Sequence, residues 1–541
     1  MNNGIWSDKY ADLVFYNGEV ITVNQAYEIH HAVAVKGNKI VYIGNNSGAD
    51  GLIGSNTQLI DLHGRSLLPG FIDSHLHIME TGMNELGINC SFPEVTSIEE
   101  IKSKIKKAAS VLPPGVWIKG WGYDHTRLKE MKHPDRWDLD EATTTHPVVI
   151  SRVCGHMVTC NSRALEISGI NENTADSKGG KIERFDGKPT GLLYESASAK
   201  VKNKPYTQDE LMEGLKFADR KLSRMGVTSV HDAGGYGALQ NRIIQEAVAG
   251  DKINTRIYIM ALSLPQNKGS HEGFLNAGIG KDVGNSKLKF GAFKAAFIDG
   301  SSSAPTAAVK EPYRSNPADR GMINITQDEL NDLCLKAHKV GCQVTAHAVG
   351  DQAIEMFLNA IELAQKTYPK KNCRHRIEHC AIIDLKILER IKKMGIIPVS
   401  QPAFLYYFGD GYIQNYGSRT DYMFACRSYK ESGIISAASS DCPVSSPDPL
   451  IGIHTAVNRE SMEGKIVGSK QKVNIMDAIR MYTINGAYAS FEEHVKGSLE
   501  VGKLADMVVL SEPIMKSTLD KIKNIKVHTT VIDGKITYCR K

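Results

Sequence analysis

No two of the ten cysteines are spaced as Cys-x-x-Cys, which removes the zinc-ribbon reading and leaves no disulfide framework. No run of eighteen or more apolar residues occurs, so no stretch reads as a membrane span. The first residues, Met1–Tyr10, lack a basic start followed by an apolar stretch, and no signal peptide is expected. Charge of one sign is also missing: 65 Lys and Arg stand against 60 Asp and Glu, a net +5 over 541 residues. The Lys-rich stretches Ile101–Ala108 and Lys521–Lys526 are interleaved with apolar or small polar residues. They read as solvated faces, not as a nucleic-acid footprint. The expectation is a reduced, cytoplasmic protein acting on a small molecule, without nucleic acid or membrane as partner. A homodimer is the default oligomeric state.

What is present is a sequence of strands. At the N-terminal end Ala11–Phe15, Glu19–Thr22, His31–Lys36 and Lys39–Ile43 are rich in Val, Ile and Tyr. The turn pairs Asn17-Gly18 and Gly37-Asn38 separate them. Asp506–Leu510, Val527–Ile532 and Lys535–Tyr538 repeat that texture at the other end, with Asp533-Gly534 between the last two. Residues 1–66 and 491–541 are therefore expected to form one small β-sandwich domain, interrupted by residues 67–490.

The middle alternates strands with helical patterns, which points to a parallel sheet. Eight strands are predicted: Leu67–His77, Val227–Asp232, Ile253–Leu262, Gly291–Ile298, Gln343–Ala348, His375–Cys380, Ile396–Gln401 and Ile435–Asp441. Eight such units fit an α/β fold of the (β/α)8 TIM-barrel type. The long stretch after the first strand, about residues 80–225, reads as a subdomain inserted over the barrel mouth.

Leu68–His77 joins an apolar strand to a His-x-His. Strand side chains alternate, so His75 and His77 point the same way, and two converging imidazoles suit a metal. Alone the motif is weak. Position strengthens it, because His347, His379 and Asp441 end the fifth, sixth and eighth predicted strands and so share one barrel face. Four imidazoles and a carboxylate suit Zn²⁺ or a similar ion, not Ca²⁺ or Mg²⁺. Lys294, inside the fourth strand, has two readings. It is a salt-bridged or substrate-facing lysine, or its amine has reacted with CO2 to give a carbamate that bridges two metal ions.

The motifs now form a set. It comprises Ala11-Asp-Leu-Val14, Gly37-Asn-Lys-Ile40, Leu68–His77, Trp121-Gly-Tyr-Asp124, Gly155-His156, Asn161-Ser162 and Pro189-Thr-Gly-Leu192. It continues with Asp299-Gly-Ser301, His347–Ala353, Glu378-His379, Ser440-Asp441, Pro443 and Gly502-Lys-Leu-Ala-Asp506. In this order the set resembles amidohydrolase family 3 of the amidohydrolase superfamily, the branch with YtcJ-like proteins and N-substituted formamide deformylase. The resemblance implies a metal-dependent hydrolase of amide, formamide or cyclic amide C–N bonds. It implies that His75, His77 and Asp441 hold one metal and His347 with His379 another, bridged by Lys294 if carboxylated. One or two Zn²⁺ per chain are therefore expected. Metal-activated hydroxide would attack the carbonyl, with Asp441 as general acid/base.

Two departures stand out. Lys294 has one residue more before Asp299 than the family pattern, which a bulge would absorb. Cys442 stands where the family carries Trp, a change expected to reshape the pocket. In the insertion, His156, Trp121 and Tyr123 are the expected substrate contacts. Alternation puts Arg376 and Glu378 toward the helical layer as an ion pair, and Asp351 is expected to orient a ligand histidine. Two other readings stay open: a mononuclear deaminase of a heterocycle, and a non-catalytic binding protein on the same fold.

Overall fold

The run Leu67–His77, read from sequence as one strand, is two. Ser66–Pro69 lies in the terminal β domain and Phe71–Leu76 opens the barrel, with Gly70 between them. Leu67 packs in the core of the terminal domain and Leu68 in that of the barrel, so both faces of the first strand are covered. Cover on both faces is why the sequence shows an unbroken apolar run instead of alternation. The computed structural model describes residues 10–540 apart from 178, 235–236, 263–269, 277–279 and 281–282. The N-terminal reading of Met1–Tyr10 lies outside the described residues except at Tyr10.

The barrel strands are β1 (Phe71–Leu76), β2 (Val227–Asp232), β3 (Arg256–Leu262), β4 (Leu288–Phe297), β5 (Gln343–Ala348), β6 (Arg376–His379), β7 (Ile397–Ser400) and β8 (Ala437–Ala438). Each pairs in parallel with the next, from β1 to β8. Closure comes just past β8, at the mouth. The Asp441 N–H donates to the His75 carbonyl at 2.8 Å and the His77 N–H to that of Cys442 at 2.8 Å. Asp441 is thereby fastened to the His-x-His by backbone alone. No helix among the described residues is long and apolar enough to cross a membrane.

Five helices matter for the site: α1 (Ile78–Asn84), α2 (Gln208–Arg224), α3 (Gln327–Lys339), α4 (Asp351–Thr367) and α5 (Leu385–Met394). Helices α2 and α3 begin in capping boxes, Thr207 with Glu210 and Thr326 with Glu329, which satisfy otherwise orphaned amides. The outward faces of β4 and β5 are apolar: Phe293, Ala295, Val344 and Ala346 pack with Leu330 of α3 and Ile354 and Phe357 of α4. Truncating a fully buried side chain such as Phe357 to alanine would cost about 3–5 kcal/mol. The inward faces of the same strands are therefore free to carry polar residues, and Lys294, Thr345 and His347 occupy them.

Between Lys294 and Phe297, β4 takes three steps against the two from Thr345 to His347 on β5. This is a bulge, two residues before Asp299.

The insertion is built on a six-stranded mixed sheet in the order Gly180–Phe185, Lys188–Glu195, Met157–Cys160, Val148–Arg152, Ile118–Tyr123, Ile88–Asn89. The helix Ile98–Ala109 lays its apolar stripe, Ile98, Ile101 and Ile105, on that sheet. The Lys-rich stretch lies on this helix, where Lys102 pairs with Glu141.

The terminal domain has two sheets. One is Lys39–Gly44, Ala32–Lys36, Leu13–Tyr16, Gln58–Asp61; the other is Lys535–Cys539, Val527–Ile532, Met507–Leu510, Ser66–Pro69, Glu19–Ile21, Ile29–His30. Their shared core joins Leu13, Phe15, Val33 and Leu67 from one end of the chain to Met507, Val509 and Val531 from the other. Asp533 (φ 56) and Gly534 (φ 74) form the tight turn of the last hairpin, whose twist requires positive φ at both positions.

Candidate metal and catalytic site

Four histidines meet at the barrel mouth. The His75 ring lies 4.9 Å from that of His379, and His379 lies 4.5 Å from His347. His77 stands edge-on to His75 at 5.7 Å. Asp441 Oδ1 is 3.3 Å from His75 Nε2 and 3.5 Å from His77 Nε2, so three donor atoms converge from β1 and the end of β8.

Each histidine has one ring nitrogen tied to an oxygen that can only accept. His75 Nδ1 donates to the Glu378 carboxylate at 2.5 Å, and His77 Nδ1 to the Gly234 carbonyl at 3.0 Å. His347 Nε2 donates to the Gly300 carbonyl at 3.0 Å. His379 Nδ1 donates to Gln401 Oε1 at 2.9 Å. That amide is itself oriented, because its NH2 donates to the Val399 carbonyl and to Ser439 Oγ. These bonds fix each tautomer and leave a lone pair on the opposite nitrogen, the arrangement in which imidazole binds a metal. Burial, with the nearby Lys294 charge, pushes His77 and His379 down to about 3, so both rings are neutral as ligands must be. His75 Nε2 is buried without a hydrogen-bond partner. A divalent cation therefore fits this donor set.

Lys294 is fully buried, and its Nζ has the Ala233 carbonyl at 3.4 Å and the Phe297 ring centroid at 4.5 Å. Burial pulls it down to about 8 against the opposing pull of Glu378 and Asp441. Burial likewise pushes Asp441 up to about 8, although Lys294 and His156 favour its anion.

His156 reaches the same cavity from the insertion, with its ring 5.4 Å from His347 and edge-on to Phe297. Its Nδ1 donates to Glu195 at 2.6 Å. Burial opposes its charge, but the Glu195 carboxylate overrides that and carries it up to about 9. Glu195 also accepts from Thr306 Oγ1 at 3.0 Å and is held at φ 48, ψ −127, a strained conformation for a residue with a side chain.

Three expectations are corrected. Arg376 and Glu378 do form an ion pair, at 2.8 Å, but inside the barrel and not toward the helices. The outward residues of β6 are Ile377, in the helical-layer core, and before them His375, which meets His338 of α3 at 3.0 Å. The alternation argument failed because His379 adopts φ 73, which turns its side chain inward directly after inward-facing Glu378. The apolar Ile377 was the available signal, since helix-facing positions of β4 and β5 are apolar too.

Asp351 accepts the Lys310 N–H and orients no histidine; Asp299 is the carboxylate near His347, at 3.6 Å. Tyr123 is fully buried in the insertion's core, its hydroxyl bonded to Thr159 and His133. Cys442 is buried in the barrel core beside Thr81. Trp121, on the same strand as Tyr123, is half-buried with the Lys221 ammonium 6.0 Å from its ring.

A second set of donor atoms, His338, Cys373 and His375, also converges. Its lone pairs are spent. Val344 N–H donates to His375 Nδ1, so His375 Nε2 carries the proton given to His338 Nδ1, and His338 Nε2 donates to the Tyr368 carbonyl. This chain of hydrogen bonds joins β5, α3 and the start of β6 and is structural.

The sequence pattern described as the amidohydrolase family matches residues 58–538. The chain belongs to the amidohydrolase family. It is 31% identical to the putative amidohydrolase YtcJ of Bacillus subtilis over 538 residues, covering 97% of this chain and 99% of that one. It is 28% identical to N-substituted formamide deformylase of Arthrobacter pascens, covering 98% of each. An uncharacterized metal-dependent hydrolase from Pyrococcus furiosus has the same fold at a TM-score of 0.72 and 26% identity, with 92% of this chain and 98% of that one covered. The chain is thus a metal-dependent hydrolase of the amidohydrolase superfamily. Within that amidohydrolase frame, sequence reasoning missed Glu378, Gln401, Gly234 and Gly300 as anchors of the four histidines, and Glu195 as the partner of His156.

Proposed function

We propose that this chain hydrolyses a C–N bond of an amide, formamide or cyclic amide, and that Asp441 moves the proton. The observation that carries this reading is the set of four histidines, each tied at one nitrogen and open at the other, around Asp441. The similarity to N-substituted formamide deformylase supports the substrate class. His75, His77 and Asp441 would hold one Zn²⁺ or similar ion, and His347 with His379 a second. When bound, such an ion supplies Lewis acidity, polarising a carbonyl and acidifying water.

The chain's own residues do the rest. Asp441 takes the proton of the attacking water and delivers it to the leaving nitrogen, a role worth about 10²–10⁴-fold. His156, kept cationic by Glu195, orients the acyl oxygen. Lys294, buried with no carboxylate among the described residues in hydrogen-bond range, is costly as an ammonium; as a carbamate it would bridge the two ligand sets. Trp121 is proposed as an aromatic wall of the approach. Metal analysis of the purified protein, with a screen of N-formyl and cyclic amides, tests the reading. Metal-loaded protein that hydrolyses none of them would defeat it.

A further inference from the structure

Phe297 ends β4, and its chain neighbours Ala296 and Ile298 both pack in the core under the helical layer. Phe297 therefore points the other way, into the barrel mouth. The bulge between Lys294 and Phe297 is what brings both side chains to the inner face. Three contacts place the ring there. Its centroid lies 5.0 Å from that of His347 and 6.3 Å from that of His156, and the Lys294 Nζ stands over one face at 4.5 Å. All three neighbours are polar. Phe297 is half-buried and joins none of the apolar cores formed by the described residues. An aromatic surface set among imidazoles and an amine, and partly open, is stabilised when apolar material covers it.

Its position decides which end of an amide it meets. β4 and β8 are four strands apart in an eight-stranded barrel, so they face each other across the mouth. Asp441, just past β8, gives its proton to the leaving nitrogen in the amide-hydrolase reading above, on which this inference rests. An amide with its nitrogen at Asp441 directs its acyl group at Phe297. We propose that Phe297 is a specificity residue that selects amides carrying an aromatic ring on the acyl side. A formyl group, with only hydrogen on its carbon, leaves the ring uncovered.

The test compares two isomers that differ only in the direction of the amide bond: the N-methyl amide of phenylacetic acid and the N-acetyl derivative of benzylamine. N-Methylacetamide is the reference without a ring. Turnover by the metal-loaded protein gives kcat/KM for each, and binding is measured separately by calorimetry. Wild type is expected to prefer the phenylacetyl compound over either of the others by about 10–100-fold, the discrimination that filling an apolar pocket provides. In Phe297→Ala that preference falls toward one. In Phe297→Trp, which keeps an aromatic face, it persists. Ratios within one protein do not depend on the fraction that folds, so misfolding cannot mimic the result. Isomers handled equally by wild type, a preference for the benzylamine compound, or a preference that Phe297→Ala leaves intact would each overturn the proposal. If none of the three is turned over but the binding ratios change as stated, the amide reading fails and the aromatic selectivity of Phe297 stands.

Discussion

The Glu378 carboxylate lies 2.5 Å from His75 Nδ1, with both side chains fully buried. Its other oxygen accepts from Thr345 at 2.5 Å, and Arg376 holds both oxygens. The carboxylate is therefore locked, and it locks the imidazole.

Glu378→Gln should loosen the metal site without touching a proposed ligand. The amide can present its NH2 to His75 and favour the wrong tautomer. Metal affinity is expected to drop about 10–100-fold, the usual effect of losing such a partner. Competition with a chelator measures it, and wild-type affinity would show that the contact is only structural.

Asp441→Asn should lower kcat by about 10²–10⁴-fold, since an amide cannot carry the proton. Metal content is read on the same sample. Unchanged kcat at full occupancy would remove Asp441 from proton transfer.

Lys294→Ala should lower the bound metal from near two equivalents per chain, if the lysine bridges two ions as a carbamate. Growth and assay in added bicarbonate should change wild type and leave the variant alone. About one equivalent in both proteins would favour a single-metal site.

The His156–Glu195 pair should make stability depend on pH. The folded-state value of His156, about 9, lies above the ordinary 6.5. The contribution is thus complete below about pH 6.5 and is lost as pH rises through about 9. Melting curves of wild type and Glu195→Gln should differ by a few degrees at pH 6 and merge by about pH 10. A constant offset across that range would mean that Glu195 acts by packing.

Arg256 and Asp506 form a buried ion pair through contacts of 2.6 and 3.0 Å, joining β3 to the terminal domain. Asp506→Ala leaves the guanidinium with Asp533 and the Ser286 carbonyl and should cost about 3–5 kcal/mol. Denaturant titration checks this, and a loss below about 1 kcal/mol would class the pair with ordinary surface bridges.

Much of this site was legible because a barrel strand has a simple grammar. Period two placed His75 beside His77, and the alternation of strands and helices put His347, His379 and Asp441 at one end. What escaped depended on single backbone angles and on distant partners. The φ of 73° at His379 inverted the assignment of Glu378. Glu195 meets His156 from a neighbouring part of the insertion's sheet, and Gln401 meets His379 from the next barrel strand. No periodicity encodes such meetings. Tyr123 resembled a pocket residue by motif, but a fully buried phenol surrounded by isoleucines belongs to a core.

Ser66–Pro69 sits between Glu19–Ile21 and Met507–Leu510 in one sheet. On the ribosome, that strand emerges early and keeps one hydrogen-bonding edge open until residue 507 has been made. An apolar, unpaired edge is a template for other chains, so the nascent protein is exposed to mispairing through nearly all of its synthesis.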